Sequence, residues 1–208
     1  GDIPYCPSAD EPLPGLLASA YASANPTMRA NAEEPFVNGT VQGAVWYSVL
    51  GSMQDWTYYA LGRLQLTLEL HEVKRLAAAS LPALWGANAA SMLRLMELSH
   101  MGLRARVLDA STRNPLSANV TITQPSGVRG TTASAARGGY LYKMMAPGQQ
   151  YTFVVRPYDP ARPKLSYEDM TLSVRLGMRA EDLVGGRGMA GMAVKRLLLA
   201  VRKPTKRK

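Results

Sequence analysis

The residues best suited to chemistry lie in one alternating segment, residues 64–70. Leucine occupies every second position, which predicts a strand with one apolar face, and Gln65, Thr67 and Glu69 form the opposite face. A carboxylate such as that of Glu69 can accept a proton during a hydrolytic reaction. The alternation by itself favours the simpler interpretation, in which Glu69 is a solvent-facing residue of an ordinary strand.

Histidine and cysteine are too few to predict a metal site from spacing. His71-Glu72 begins a His-Glu-x-x-His helix motif, but position 75 is Arg, so the second histidine is absent. His100 follows a predicted helix, where the helix dipole favours it without any metal. Cys6 is the single cysteine, so the chain cannot form an internal disulfide.

The elements around this segment predict an α/β region. A helix is expected from Leu13 to Tyr21, ended by Pro26, and a strand or edge segment over residues 44–49. A long helix is expected after Ser80, its N-cap, with Gly102 as the stop at its C-terminal end.

After Gly102 the sequence changes to short strands separated by turns. The expected strands are Leu103–Leu108, Asn119–Thr123, Tyr140–Met145, Tyr151–Val155 and Met170–Leu176, with a possible last strand over residues 193–201. This texture predicts a small antiparallel β-sandwich. We therefore expect three parts: residues 1–102, a sandwich over residues 103–201 and a basic tail over residues 202–208.

Charge is divided unevenly between the two halves. Residues 1–101 hold 5 Lys/Arg and 9 Asp/Glu, a net of −4, whereas residues 102–208 hold 19 and 6, a net of +13. A basic half can bind nucleic acid, but no stripe of aromatic and basic residues is visible along the chain, so a solvated tail is favoured and no specific nucleic-acid partner is expected.

No apolar run has the length of a transmembrane segment. Because the first residue is Gly1, we expect a processed or truncated chain.

Six short motifs, in order over residues 5–176, resemble the zinc metallocarboxypeptidases of the N/E subfamily, carboxypeptidases D, E, M and N. They are Tyr21-Ala22-x-x-Asn25-Pro26; Trp46-Tyr47-Ser48 with Gly51-Ser52-Met53-Gln54-Asp55-Trp56; Thr67-x-Glu69-Leu70; Leu81-Pro82 with Trp85, Asn88, Ser91 and His100-x-Gly102; Val107-Leu108-Asp109-Ala110; and Gly139-Tyr140 with Pro147-Gly148 and Tyr151. Each motif is weak, but the ordered set is specific.

The resemblance implies roles for three residues. Glu69 falls on the catalytic glutamate, which takes a proton from zinc-bound water and passes it to the leaving amine. Tyr47 falls on the tyrosine that caps the substrate, and Gln54 on a pocket position linked to C-terminal Lys or Arg. Zinc is the implied cofactor, but its ligands, a His-x-x-Glu pair and a later His, belong to an upstream part absent from this chain. The implied partners are peptide or protein C-termini and that missing N-terminal part.

The resemblance also implies a fold and a compartment. The expected fold is the α/β end of a mixed-sheet carboxypeptidase domain, followed by an all-β transthyretin-like sandwich. Arg63 and Glu72 fall on two family cysteines, and we expect an ion pair between them. A secreted or membrane-associated protein of the secretory pathway is expected, which suits the Asn-x-Thr triplets at Asn38 and Asn119. Two alternatives stay open: a non-catalytic structural or interaction subunit, and a basic β-sandwich binding module.

Overall fold

The computed structural model of the 208-residue chain describes residues 8, 10–123, 129–135, 138–177 and 194–201. Cys6 and the basic tail, residues 202–208, lie outside the described residues. The chain divides into two compact units: the described residues up to Ser99 belong to the first, and those from His100 onward belong to the second. Taken as a whole the fold is mixed α/β, with the helices in the first unit and the sheets in the second.

The first unit is built from helices and connecting segments. The helices are α1 (Leu13–Ser23), α2 (Pro26–Arg29), α3 (Gly43–Trp46), α4 (Met53–Leu61) and α5 (Leu81–Leu98), with short 3-10 helices at Val37–Gly39 and Ala78–Ser80. The predicted first helix is confirmed as α1, with Pro14 in its first turn. The long helix α5 also begins where predicted, although the Ser80 side chain makes no capping hydrogen bond. It ends at Leu98, before Gly102, because the chain turns at Ser99 and His100 into the next strand.

The prediction of a strand over residues 44–49 is wrong. The segment begins with the single helical turn α3, in which Trp46 N–H bonds to the carbonyl of Gln42 and Tyr47 N–H bonds to that of Gly43. Tyr47 then becomes extended, at φ −164° and ψ 158°. The local turn satisfies backbone groups that a strand would have had to pair with a neighbour.

The prediction of a strand over residues 64–70 is also wrong, because this segment pairs with no other described strand. The chain leaves α4 through Gly62 in the left-handed conformation, at φ 62°, and continues without regular secondary structure. Alternation is retained in the burial: Leu64, Leu66 and Leu68 are partly buried, whereas the residues between them are exposed. No described strand forms a ladder with the segment, and pairing with a neighbour is what defines and stabilises a strand.

The second unit contains two sheets. Its strands are β1 (Gly102–Asp109), β2 (Ser117–Thr123), β3 (Arg129–Ala135), β4 (Tyr140–Lys143), β5 (Gln150–Tyr158), β6 (Met170–Arg175) and β7 (Val194–Val201). The strand orders are β4-β1-β7 and β3-β2-β5-β6. Six of these strands overlap the predicted ones, whereas β3 was not predicted. The prediction that all strands are antiparallel is wrong at β7, which runs parallel to β1.

Alternation places one face of each sheet in the core of this unit. Val120 and Phe153 are fully buried, and burial of such side chains contributes about 1.5–3 kcal/mol each. The buried carboxylate of Asp109 accepts hydrogen bonds from the backbone N–H of Ser111 at 2.8 Å and from the Tyr167 hydroxyl at 3.2 Å. Among the described residues, no helix has the length and apolar character needed to cross a membrane.

Candidate active site

Gln54 is held in the first turn of α4. The Ser52 hydroxyl accepts a hydrogen bond from the backbone N–H of Asp55 at 3.3 Å, which caps the N-terminus of the helix. Thr67 donates its hydroxyl proton to Oε1 of Gln54 at 2.8 Å. This bond connects the helix to the extended segment that follows it.

Glu69 lies two residues after Thr67 in that segment. In an extended chain, residues two apart lie on the same side, about 6.8 Å from each other. Glu69 is exposed, and no hydrogen bond or ion pair to its carboxylate is recorded among the described residues. Gln54 is thus bonded to the residue two positions before Glu69, and the Glu69 side chain is exposed.

Tyr47 lies directly after α3, in a small aromatic cluster. Its ring packs edge-on against Trp46, with centroids 4.6 Å apart, and Trp46 packs in the same way against Phe36 at 4.8 Å. The side chain is 54% exposed. Within the described part of the chain, no hydrogen bond joins Tyr47 to Gln54 or Glu69.

The described histidines and carboxylates do not form a metal site. Nδ1 of His71 accepts a hydrogen bond from the backbone N–H of Val73 at 2.9 Å, and Nδ1 of His100 contacts Nη2 of Arg104 at 2.6 Å. No group of three or more His, Cys, Asp or Glu residues is close enough to hold a metal ion among the residues with described positions. The described residues therefore do not provide a zinc ligand set.

The ion pair expected between Arg63 and Glu72 is not formed. Both side chains belong to the described part of the chain and both are exposed, and the ion pairs found there involve other residues. Exposed charges gain little from pairing, so little stability is lost by their separation.

Several motif residues instead build a buried polar joint between α1 and α5. The Tyr21 hydroxyl and the Asn25 side-chain amide each donate to Oδ1 of Asn88 at 3.1 Å. Ser91 donates its hydroxyl proton to the backbone carbonyl of Tyr21 at 2.8 Å. Burial raises the pKa of the Tyr21 phenol. Spacing could not reveal this scaffold, because its members are more than sixty residues apart.

Many large apolar side chains are exposed on or near α3, α4 and the segment 64–70, in the same part of the chain as the candidate site residues. They are Val45, Trp46, Tyr47, Val49, Leu50, Met53, Trp56, Tyr59, Leu61 and Leu70. Leu50 and Tyr59 are each 91% exposed. Such a concentration of exposed apolar side chains favours an interaction site. The sequence shows these residues, but their exposure could be found only from the structure.

Comparison with known proteins places these features in context. Residues 4–91 match the family described as zinc carboxypeptidase. The chain is similar to human carboxypeptidase D, at 33% identity over 164 residues, covering 75% of this chain and 12% of that protein. Similarity to duck (Anas platyrhynchos) carboxypeptidase D is 35% over 164 residues, covering 75% and 12%.

A third relative is shorter. The catalytic chain of rat (Rattus norvegicus) carboxypeptidase N is 28% identical over 180 residues, covering 86% of this chain and 37% of that protein. The chain thus spans about a tenth of the carboxypeptidase D relatives and just over a third of this one. A likeness to the pilus 2b backbone protein of group B streptococcus covers 51% of this chain and 42% of that one, at 16% identity and a TM-score of 0.34, which is too low to support a conclusion about fold.

Proposed function

Because the chain belongs to the N/E subfamily of zinc carboxypeptidases, we propose that it supplies the catalytic carboxylate, Glu69, of an enzyme that removes C-terminal residues from peptides and proteins. Glu69 takes up a proton as water adds to the scissile carbonyl carbon. It returns that proton to the nitrogen of the leaving amino acid as the C–N bond breaks. An exposed carboxylate with no recorded partner among the described residues is free to perform both transfers.

The observation that carries the proposal is the hydrogen bond from Thr67 to Gln54. It holds the amide of Gln54 beside the segment that presents Glu69. Gln54 is the proposed contact of the substrate's C-terminal side chain, with Lys or Arg as the preferred residue. Tyr47, exposed on its aromatic cluster, is the proposed cap over the bound substrate.

The zinc of this family is held by residues other than those described here. The described histidines and carboxylates form no ligand group, so the ligands are proposed to come from an N-terminal part of the same catalytic domain. That part is proposed to pack on the exposed apolar side chains on and near α4 and to provide the strand partner of residues 64–70. Packing of this N-terminal part would cover the exposed leucines and tryptophans. It would also provide hydrogen-bond partners for the backbone groups of residues 64–70.

The domain division and the compartment are further parts of the proposal. Residues 1–102 are the end of the catalytic domain, and residues 103–201 are a transthyretin-like sandwich that follows it. The two-sheet architecture of the second unit supports the sandwich. A secreted or membrane-associated location is supported by exposed asparagines in both glycosylation triplets, Asn38 and Asn119.

The test is hydrolysis by a protein that includes the whole catalytic domain, loaded with zinc. Peptides that are identical except for a C-terminal Lys, Arg, Ala or Asp are compared by mass spectrometry. Release of Lys and Arg in preference to Ala and Asp, abolished by a chelator and restored by zinc, is the expected result. A protein that binds zinc but cleaves none of them would contradict the proposal and favour the non-catalytic subunit.

A further inference from the structure

Two cross-strand pairs of arginine and tyrosine join β1 and β4. Arg104 lies opposite Tyr142, and Arg106 opposite Tyr140, in the antiparallel register. Each guanidinium lies over the ring of its partner, with Cζ 5.7 Å from the Tyr142 centroid and 5.0 Å from that of Tyr140. Because the arginines occupy alternate positions of one strand, the pairs repeat at about 6.8 Å. We call these four residues the Arg–Tyr surface.

The positive charge of this surface is not neutralised within the described part of the chain. Arg104 contacts the His100 imidazole, and Nε of Arg106 donates to the carbonyl of Gly138 at 2.9 Å. Neither guanidinium pairs with a carboxylate among the described ion pairs. The surface therefore favours an anionic partner.

The surface adjoins the edge of a sheet. In the order β4-β1-β7, strand β4 is terminal, and it pairs with β1 alone among the described strands. The arginines of β1 reach over the tyrosines of β4, which brings their guanidinium groups toward this edge. An extended peptide can add to such an edge through its main chain while its side chains meet the neighbouring ones.

Three classes of anionic partner can be compared for the Arg–Tyr surface: single-stranded nucleic acid, an anionic membrane and an acidic peptide. Single-stranded nucleic acid needs free aromatic faces for base stacking, but here a guanidinium already covers a face of each ring. A membrane surface needs apolar side chains that insert. The large exposed hydrophobic residues described in the second unit are tyrosines, Tyr140, Tyr142 and Tyr158. Carboxylates, in contrast, match the guanidinium fork, and in an extended peptide alternate carboxylates repeat at the same spacing of about 6.8 Å.

We infer that the Arg–Tyr surface binds an acidic segment of a partner protein in extended conformation, with Asp or Glu at alternate positions. This role is separate from peptide hydrolysis, because all four residues lie in the second unit. The partner adds beside β4, and its alternate carboxylates pair with Arg104 and Arg106.

The test is fluorescence anisotropy with the full chain and a labelled peptide of alternating Glu and Thr. The double variant Arg104→Gln/Arg106→Gln is expected to bind at least about tenfold more weakly, because it loses two charge-assisted contacts. Arg175→Gln is the control: Arg175 lies on a strand and, like Arg106, donates Nε to a glycine carbonyl, that of Gly148, but it is exposed and lies in the other sheet. The Arg175→Gln variant is expected to bind the peptide as tightly as the wild type does.

A second comparison uses the wild-type chain alone and so does not depend on the folding of a variant. A peptide of the same composition with its glutamates in one block is expected to bind more weakly than the alternating one. Equal binding of the two peptides, or equal loss in the double variant and in Arg175→Gln, would overturn the inference. So would tighter, Arg104-dependent binding of oligothymidine or of phosphatidylserine vesicles.

Discussion

The hydroxyl of Thr67 and the side-chain amide of Gln54 are joined by a hydrogen bond of 2.8 Å. The bond links the first turn of α4 to the segment 64–70, which follows the end of the helix at Gly62 and contains Glu69. Because burial alternates along this segment and Thr67 and Glu69 both lie at its exposed positions, an interaction at Thr67 positions the side that presents the carboxylate.

Removal of this bond is expected to weaken substrate binding. In the zinc-loaded protein with its complete catalytic domain, Thr67→Val keeps the side-chain shape but releases Gln54. We expect KM for a Lys-ended peptide to rise about fivefold with kcat little changed, as for the loss of about 1 kcal/mol. Gln65→Ala, on the same exposed face, is the control. A Thr67→Val enzyme with the kinetics of this control would contradict the role given to Gln54.

The polar joint between α1 and α5 is expected to be essential for the stability of the first unit. Asn88→Ala removes the acceptor of both Tyr21 and Asn25, leaving two buried donors unpaired, which costs about 3 kcal/mol in total. The tryptophans of the chain, Trp46, Trp56 and Trp85, all precede Ser99, so their fluorescence reports urea unfolding of this unit. Asn31→Ala, at an exposed site, is expected to change the midpoint little. Similar midpoints for both variants would refute the importance of the joint.

Two glycines of the second unit provide a matched pair. At Gly102, with φ +139°, an added Cβ would collide with the Lys143 carbonyl oxygen, whereas at Gly148, with φ +72°, it meets nothing within 4 Å. We expect Gly102→Ala to cost about 3 kcal/mol or more and Gly148→Ala only about 1 kcal/mol. Thermal unfolding followed by far-ultraviolet circular dichroism measures the difference. The reverse order of stability would show that β1 and β4 do not approach as described.

High pH is expected to destabilise the second unit through Tyr142. The ring of Tyr142 is partly accessible, but desolvation of its hydroxyl, which donates to the Met101 carbonyl at 2.9 Å, raises the pKa of this phenol to about 12, despite the lowering effect of Arg104. In an unfolded chain tyrosine titrates near pH 10, so the stabilisation is complete below about pH 10 and is lost as the pH rises through about 12. Tyr142→Phe cannot ionise and should lose less stability over this range in urea titrations. Tyr140→Phe, on the same strand, is the control and should lose as much stability as the wild type.

Local patterns predicted the parts of the fold that are stabilised locally. The proline-started helix α1, the long helix α5 and most strands of the second unit follow from spacing, because each buries its own apolar positions. Residues 64–70 show the limit of such patterns: their alternation appears in burial, yet a ladder needs a neighbouring strand that is not among the described ones.

The candidate site was predicted by resemblance more than by chemistry. Glu69 and Gln54 were chosen from motifs, and only the structure revealed Thr67 as their connection. The Arg–Tyr surface was missed because its aromatic and basic residues alternate across two strands. Along the chain, Arg104 and Tyr142 are far apart, and only the register makes them neighbours.

Activity of Glu69→Gln in the zinc-loaded protein with its complete catalytic domain is the most direct test of the catalytic role. The amide keeps the shape of the carboxylate but cannot carry the proton, so kcat for a Lys-ended peptide should fall at least about a hundredfold with zinc content unchanged. Glu72→Gln, an equally exposed neighbour, should retain wild-type turnover. Wild-type turnover by Glu69→Gln would contradict the catalytic role of this residue.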